Sequence, residues 1–232
     1  MLTDNNASPC LSAISTEVIA CRRCPRLVAW REEVARVKRR AYQDWEYWGR
    51  GVPGFGDPAA RILVLGLAPG AHGSNRTGRM FTGDASGDFL YPALFRAGFA
   101  NQQEARHRSD GLQLKDIWIT SVCRCVPPGN KPSPNEINEC QVYFQREAAC
   151  LKALQGVVAL GRVAFERAVA FFHPRAISGE VMRFRHAGLW LGDGTAPWII
   201  ASYHPSRQNT QTGRLTSGMF DQVWSLAKKS LH

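Results

Sequence analysis

The stretch Arg61-Ile-Leu-Val-Leu-Gly-Leu67 runs straight into Ala68-Pro-Gly-Ala-His-Gly-Ser-Asn-Arg-Thr-Gly78. Four apolar side chains in an unbroken row, Ile62 to Leu65, with no alternation of polar groups, predict a strand buried on both faces, as in a parallel sheet. The glycines that follow predict a turn-rich loop over 68–87. Beyond it, residues 88–98 carry Phe89, Leu90, Leu94 and Phe95 at helical spacing, with Gly98 as a stop. They predict a helix with those four side chains turned inward.

The same alternation extends outward in both directions. Strands are expected at 116–121, 157–161 and 197–202. A helix is expected over 134–153, with Ser133 as its cap and Pro134 at its first position. Further helices are expected at 162–172 and 216–229. Upstream, residues 21–40 bring Leu27, Trp30, Val34 and Val37 round at helical intervals, and 41–60 read as an irregular Gly-, Pro- and aromatic-rich connection. Strands separated by helices predict an α/β fold: one three-layer α/β/α domain over 15–232, with a mostly parallel central sheet of about four strands. Residues 1–14 are polar and expected to be flexible. In such sheets ligands bind beyond the carboxyl ends of the strands. That rule brings three loops together, 68–87, 122–134 and 203–215.

The chain of 232 residues has a formal net charge of +10, 44% hydrophobic residues and 21% charged ones. No run approaches the roughly 20 apolar residues of a membrane helix. No basic start followed by an apolar run marks a secretion signal. A cytoplasmic location follows as the expectation, with no membrane partner. The basic excess favours an anionic partner, nucleic acid first. No heptad or repeat argues for assembly, which predicts a monomer.

Seven cysteines in a reducing compartment argue against a disulfide framework. Cys21-Arg-Arg-Cys24 forms one close pair, and Cys125 and Cys140 form a second across a proline-rich loop. Four such thiolates suit either zinc or a [4Fe–4S] cluster, and the spacing does not choose between them. Cys123 competes with Cys125 as a ligand. Cys10 and Cys150 are expected to be unliganded.

Four blocks occur in order: Gly66-Leu-Ala-Pro-Gly70, Gly78-Arg-Met-Phe-Thr-Gly-Asp-Ala-Ser-Gly87, Cys125-Val-Pro-Pro-Gly-Asn-Lys-Pro132 and His204-Pro-Ser206. Together they resemble the uracil-DNA glycosylase superfamily over nearly the whole chain. The resemblance implies DNA repair by excision of uracil from a flipped nucleotide, with DNA as the partner and a location on the nucleoid. It selects a [4Fe–4S] cluster over zinc, on Cys21, Cys24, Cys125 and Cys140. Family 4 members have Glu where Leu67 stands. A first motif without a carboxylate, followed by Ala-His-Gly, is similar to family 5, whose members accept uracil, hypoxanthine and xanthine.

The resemblance also distributes roles. Gly66, Ala68 and Gly70 belong to the loop whose amides meet the base, Phe81 stacks on it, and Asn130 reads its edge with an amide that both donates and accepts. His72 joins this set, for the base or a phosphate. His204 donates to the base oxygen as charge develops there. With no acid at Leu67, Asp84 is the carboxylate expected near the sugar; Asp88 is the alternative, with helix capping as its structural role. Arg207, Gln208 and Arg214 lie in the loop expected to enter the minor groove, and the basic segment 22–40 is a second DNA-facing candidate. Against this stand a non-catalytic metal-containing nucleic-acid-binding protein and an electron carrier. The first leaves Gly83-Asp84 and His204-Pro-Ser206 without work, and the second lacks closely grouped cysteines.

Overall fold

In the computed structural model, which describes residues 8–174, 182–192 and 196–232, four strands lie parallel at the centre: β2 (Ile62–Gly66), β3 (Ile117–Ser121), β4 (Gly156–Leu160) and β6 (Trp198–Ser202). Every residue of these strands is buried. The reason is that both pleat faces are covered. Leu63, Leu65, Val157, Ala159, Ile199 and Ala201 point to one core, which also holds Leu11, Ile14 and Val18 of α1 (Pro9–Ala20) and Phe165 of α7 (Arg162–Phe172). Ile62, Val64, Ile117, Ile119, Val158 and Ile200 point the other way. They meet Leu90, Tyr91 and Leu94 of α4 (Ala85–Ala97) and Phe220, Val223 and Trp224 of α9 (Ser217–Lys229). Alternation of period two is thus present but invisible to hydropathy, because both faces are apolar.

Two short edge strands complete a sheet of order β1-β3-β2-β4-β6-β5. β1 (Phe55–Gly56) runs antiparallel to β3, and β5 (Gly188–Trp190) antiparallel to β6. Elements of two and three residues carry no periodic signal, so the four-strand expectation stopped at the parallel core.

Local boundaries differ in ways that matter for the site. The loose stretch expected over 1–14 does not reach past residue 8, since α1 begins at Pro9; residues 1–7 lie outside the described residues. The helix expected over 21–40 is α2 (Pro25–Val37), because Cys24 occupies its cap and Pro25 its first turn. The helix expected over 134–153 is interrupted at Gln141 into α5 (Pro134–Cys140) and α6 (Val142–Cys150), with the capping box of Ser133 and Glu136 at its start. α4 starts three residues before the expected helix, so Asp84 is its cap, and Asp88 lies inside its first turn. Phe95, expected inward, is 40% exposed. Two short helices stand where loops were expected, α3 (Ser74–Thr77) and α8 (Arg207–Gln211). A disulfide joins Cys10 to Cys150, with Cα atoms 6.1 Å apart, against the expectation that disulfides would be absent. The physical reason is tertiary: α1 packs along α6, and this brings together two cysteines 140 residues apart in sequence.

Candidate active site

The carboxyl ends of the parallel strands open into a cavity of about 780 Å³. Its walls come mainly from the three loops that the strand order brings together, with Arg39 and Tyr42 added from the segment after α2. Leu67, Ala68, Gly70, His72, Phe81 and Asp84 belong to the first, Asn130 to the second, and His204, Arg207 and Gln208 to the third.

Phe81 holds a left-handed backbone conformation, φ +52°, which non-glycine residues adopt at a cost of about 1–3 kcal/mol. Its N–H donates to Ser74 Oγ at 3.0 Å. A Cβ on Gly66 would come within 2.9 Å of the Phe81 ring, so glycine at the end of β2 makes room for the aromatic face. His204 lies beside it, ring centroids 5.9 Å apart and 33° between planes. Desolvation pushes the His204 imidazole down to about 4, so it is neutral at pH 7. Its carbonyl is pinned by the Asn209 side-chain amide at 2.8 Å.

Asp84 divides its two oxygens. Oδ1 accepts the N–H groups of Ser86 and Gly87 at 3.0 and 3.1 Å, closing the start of α4. Oδ2 lies against the glycine loop: a Cβ on Gly70 would approach it to 2.9 Å, and one on Gly73 would overlap it. Burial raises the Asp84 carboxyl above the ordinary range, opposed by the two amides of α4. Leu67 gives the cavity wall an apolar side chain.

His72 accepts or donates at Nδ1 to the Tyr47 hydroxyl at 3.0 Å, and burial lowers it, followed by the charges of Arg39 and Arg76. Asn130 is exposed on the wall, held at φ +57° behind Gly129. Arg207 and Gln208 sit in the first turn of α8, capped by Ser206. Arg214 does not line the cavity; its guanidinium lies 4.7 Å from the Tyr203 ring centroid.

The sequence reading missed Arg76, which is buried between the rings of Tyr42 and Trp45, 4.0 Å from each centroid. It also donates to the carbonyls of His72 at 2.6 Å and Gly83 at 2.8 Å. Arg76 therefore holds the His72 and Gly83 turns of the first loop together and ties the 42–45 segment to them. Nothing in the spacing announces this, because its aromatic partners lie about thirty residues upstream. The basic segment 22–40 is less available than its composition suggests. Arg22, Arg26 and Arg36 are ion-paired with Glu32, Glu136 and Glu33, and Arg31 is buried, whereas Arg39 lines the cavity.

The free thiols come from four elements. Cys21 ends α1, Cys24 caps α2, Cys123 and Cys125 follow β3, and Cys140 ends α5. Cys24 and Cys125 each feel the charges of Cys21 and Cys140, and Cys123 contacts Cys140 directly. Among the described residues, no three metal-binding side chains are drawn tightly enough together to hold a single ion. The donors around the sulfurs nevertheless suit thiolates. The buried Arg31 guanidinium donates to Cys125 Sγ at 2.9 Å, and the Arg124 N–H to Cys140 Sγ at 3.2 Å. The residues present thus fit an iron–sulfur cluster. They bring Cys123 into the same group as the four expected ligands.

Sheet, loop order and cavity define an α/β fold with its pocket at the carboxyl ends of the parallel strands. The chain belongs to the uracil DNA glycosylase superfamily, whose family model matches residues 53–228; it is a DNA glycosylase. It is 52% identical to the Type-5 uracil-DNA glycosylase of Thermus thermophilus over 90% of this chain and 93% of that protein. It is 43% identical to the Type-5 uracil-DNA glycosylase of Pyrobaculum aerophilum over 86% and 84%. To the Type-4 uracil-DNA glycosylase of Archaeoglobus fulgidus it is 28% identical over 84% and 81%. The non-catalytic and electron-carrier readings fall with this membership. No helix among the described residues is long and apolar enough to cross a membrane.

Proposed function

We propose that the protein hydrolyses the N-glycosidic bond of uracil in DNA, starting base excision repair, and that it also releases hypoxanthine and xanthine. The observation that carries this reading is the cavity itself: an aromatic face, a neutral histidine and a half-buried carboxylate surround one space, with Leu67 and Ala68 on its wall. The target base is flipped out of the duplex to reach that space. Phe81 stacks on it, Asn130 meets its polar edge, and the amides of the Gly66–Gly70 turn, with Ala68 between them, face its carbonyls. His72 supports the same wall.

Bond cleavage builds negative charge on the base and positive charge on the sugar. A neutral His204 donates its N–H to the base oxygen, and the donation strengthens as charge develops. Asp84, through the oxygen left free by the α4 cap, offsets the sugar cation and orients water. Leu67 and Ala68 put no polar side chain on the wall that would reject a larger ring, which is why purine-derived bases are expected to enter. Arg207 and Gln208, at the rim, and Arg214 contact the DNA and fill the vacated stack.

Cys21, Cys24, Cys125 and Cys140 would hold the [4Fe–4S] cluster. When bound, it supplies iron–thiolate bonds that cross-link the α1–α2 corner to α5.

Single-turnover excision at saturating enzyme, from duplexes carrying uracil or hypoxanthine, tests the reading. Both bases should be released. Strict uracil specificity would refute the broad-substrate part, and no base release at all would refute the whole.

A further inference from the structure

Tyr203 stands between the last residue of β6 and His204, so whatever holds its backbone governs how His204 enters the cavity. The sheet itself stops short of this point. The antiparallel partner β5 pairs no further along β6 than Gly188 with Ala201, and the Ala187 N–H closes onto the Ala201 carbonyl. On the other side, Gly161 reaches only the Ser202 carbonyl. Among the described residues, the acceptor for the Tyr203 N–H is a side chain, His186 Nδ1, at 3.2 Å.

The rest of the arrangement is built around that bond. The His186 imidazole lies flat on the Tyr203 ring, with centroids 5.0 Å apart and 8° between planes. Ser202 Oγ lies 3.5 Å from Nδ1 but spends its proton on the Tyr203 carbonyl at 2.9 Å. Nδ1 is therefore an acceptor, and the ring proton sits on Nε2, which is buried toward the Met219 backbone outside hydrogen-bonding geometry. Burial lowers the His186 imidazole, in keeping with the neutral form. The next residue, Ala187, takes a left-handed φ of +53°, a strained turn that directs the chain back into β5.

We propose that His186 is a positioning residue for His204: by accepting the Tyr203 N–H and stacking on its ring, it extends the sheet's hold one residue beyond the last strand pair. The inference rests on the reading of His204 as the donor to the leaving base. An apolar residue at 186 packs against Tyr203 but leaves its N–H without that acceptor and the backbone before His204 free to shift.

Three substitutions at 186 separate packing from hydrogen bonding. His186→Phe keeps the stacked ring and removes the acceptor. His186→Asn puts its carbonyl oxygen near the Nδ1 position without the ring. His186→Gln carries its acceptor farther out, where Nε2 was. Uracil excision is followed in single turnover at saturating enzyme, with DNA Kd and Tm measured on each variant and His204→Ala as the reference. Phe and Gln should slow excision by about 10- to 100-fold, the range for a small misplacement of a reacting group, with Kd unchanged, and Asn should recover most of the rate. If Phe fails to fold, the contrast between Asn and Gln decides. Full rate in Phe or Gln beside a slow His204→Ala overturns the inference alone. Equal slowing in all three variants, in step with Tm, also overturns it, because the role is then structural. Full rate in His204→Ala overturns the reading of His204 and this inference with it.

Discussion

Replacing Asp84 by Asn separates two tasks that the carboxylate carries on different oxygens. Oδ1 caps α4 through Ser86 and Gly87, and Asn serves that position as well as Asp. The variant should therefore keep its Tm, whereas Asp84→Ala removes the cap. Its removal costs about 0.5–2 kcal/mol, and each kcal/mol lowers Tm by about 2–4 °C in a chain of this size. Oδ2 lies against Gly70 and Gly73, and in the proposed mechanism it carries the charge that faces the sugar. Across about 6 Å at an effective dielectric near 20, that charge offsets a sugar cation by about 2.8 kcal/mol, or roughly 10²-fold in rate. Asp84→Asn should thus excise uracil about 10²-fold more slowly in single turnover while melting like the parent.

The pH dependence has a definite sign. Burial raises Asp84, so the ionised form is the costly one in the folded protein. Its contribution to stability falls as pH rises from the unfolded carboxylate value through the raised folded one. Removing the charge therefore costs no stability near neutrality. In the proposed mechanism the rate should depend on the ionised form and be lost as pH falls through the raised value, and the Asn variant should lack that limb. An Asn variant with the parent rate and the parent pH profile would reduce Asp84 to a helix cap.

His204→Ala should lower the single-turnover rate by about 10² to 10³, the range for one transition-state donor, and spare DNA binding. Because His204 is held down to about 4, the parent rate should show no histidine limb near neutrality; a titration at the ordinary histidine value would contradict the neutral donor. Serine at Cys21, Cys24, Cys125 or Cys140 should each reduce bound iron and Tm, while Cys150→Ser keeps the iron. Iron absent from Cys123→Ser but kept in Cys125→Ser would exchange those two ligands. Replacing Arg207 and Arg214 together by Ala should weaken duplex binding and flatten its salt dependence by about one increment for each phosphate no longer neutralised. An unchanged slope would remove α8 and its flank from the DNA interface.

The parallel core was legible because four apolar runs, each bounded by turn residues, repeat between helical stretches, and that pattern permits few arrangements. The meeting of the three loops followed from the same logic, since parallel strands end on one side. The motif residues on those loops were legible through a resemblance, and the structure gathers Phe81, Asp84, Asn130 and His204 around one cavity. Other features needed tertiary structure. The edge strands are too short to carry a period. Gly83-Asp84 and Gly87-Asp88 read alike as a helix start, so whether Asp84 or Asp88 caps α4 turns on where the boundary falls.

Interactions made across the chain left no mark on local sequence at all. Arg76 finds Tyr42 and Trp45, Cys10 finds Cys150, and Arg31 turns from an expected DNA contact into a buried donor to Cys125. His186 lay in a stretch with no motif, and only the end of the β5–β6 ladder makes its ring the acceptor for Tyr203. Periodicity is written in neighbours a few residues apart, so the layers and the direction of the strands could be read from the chain directly. Which side chain satisfies which buried group depends on atoms brought together from distant parts of the chain, and that was settled only by folding.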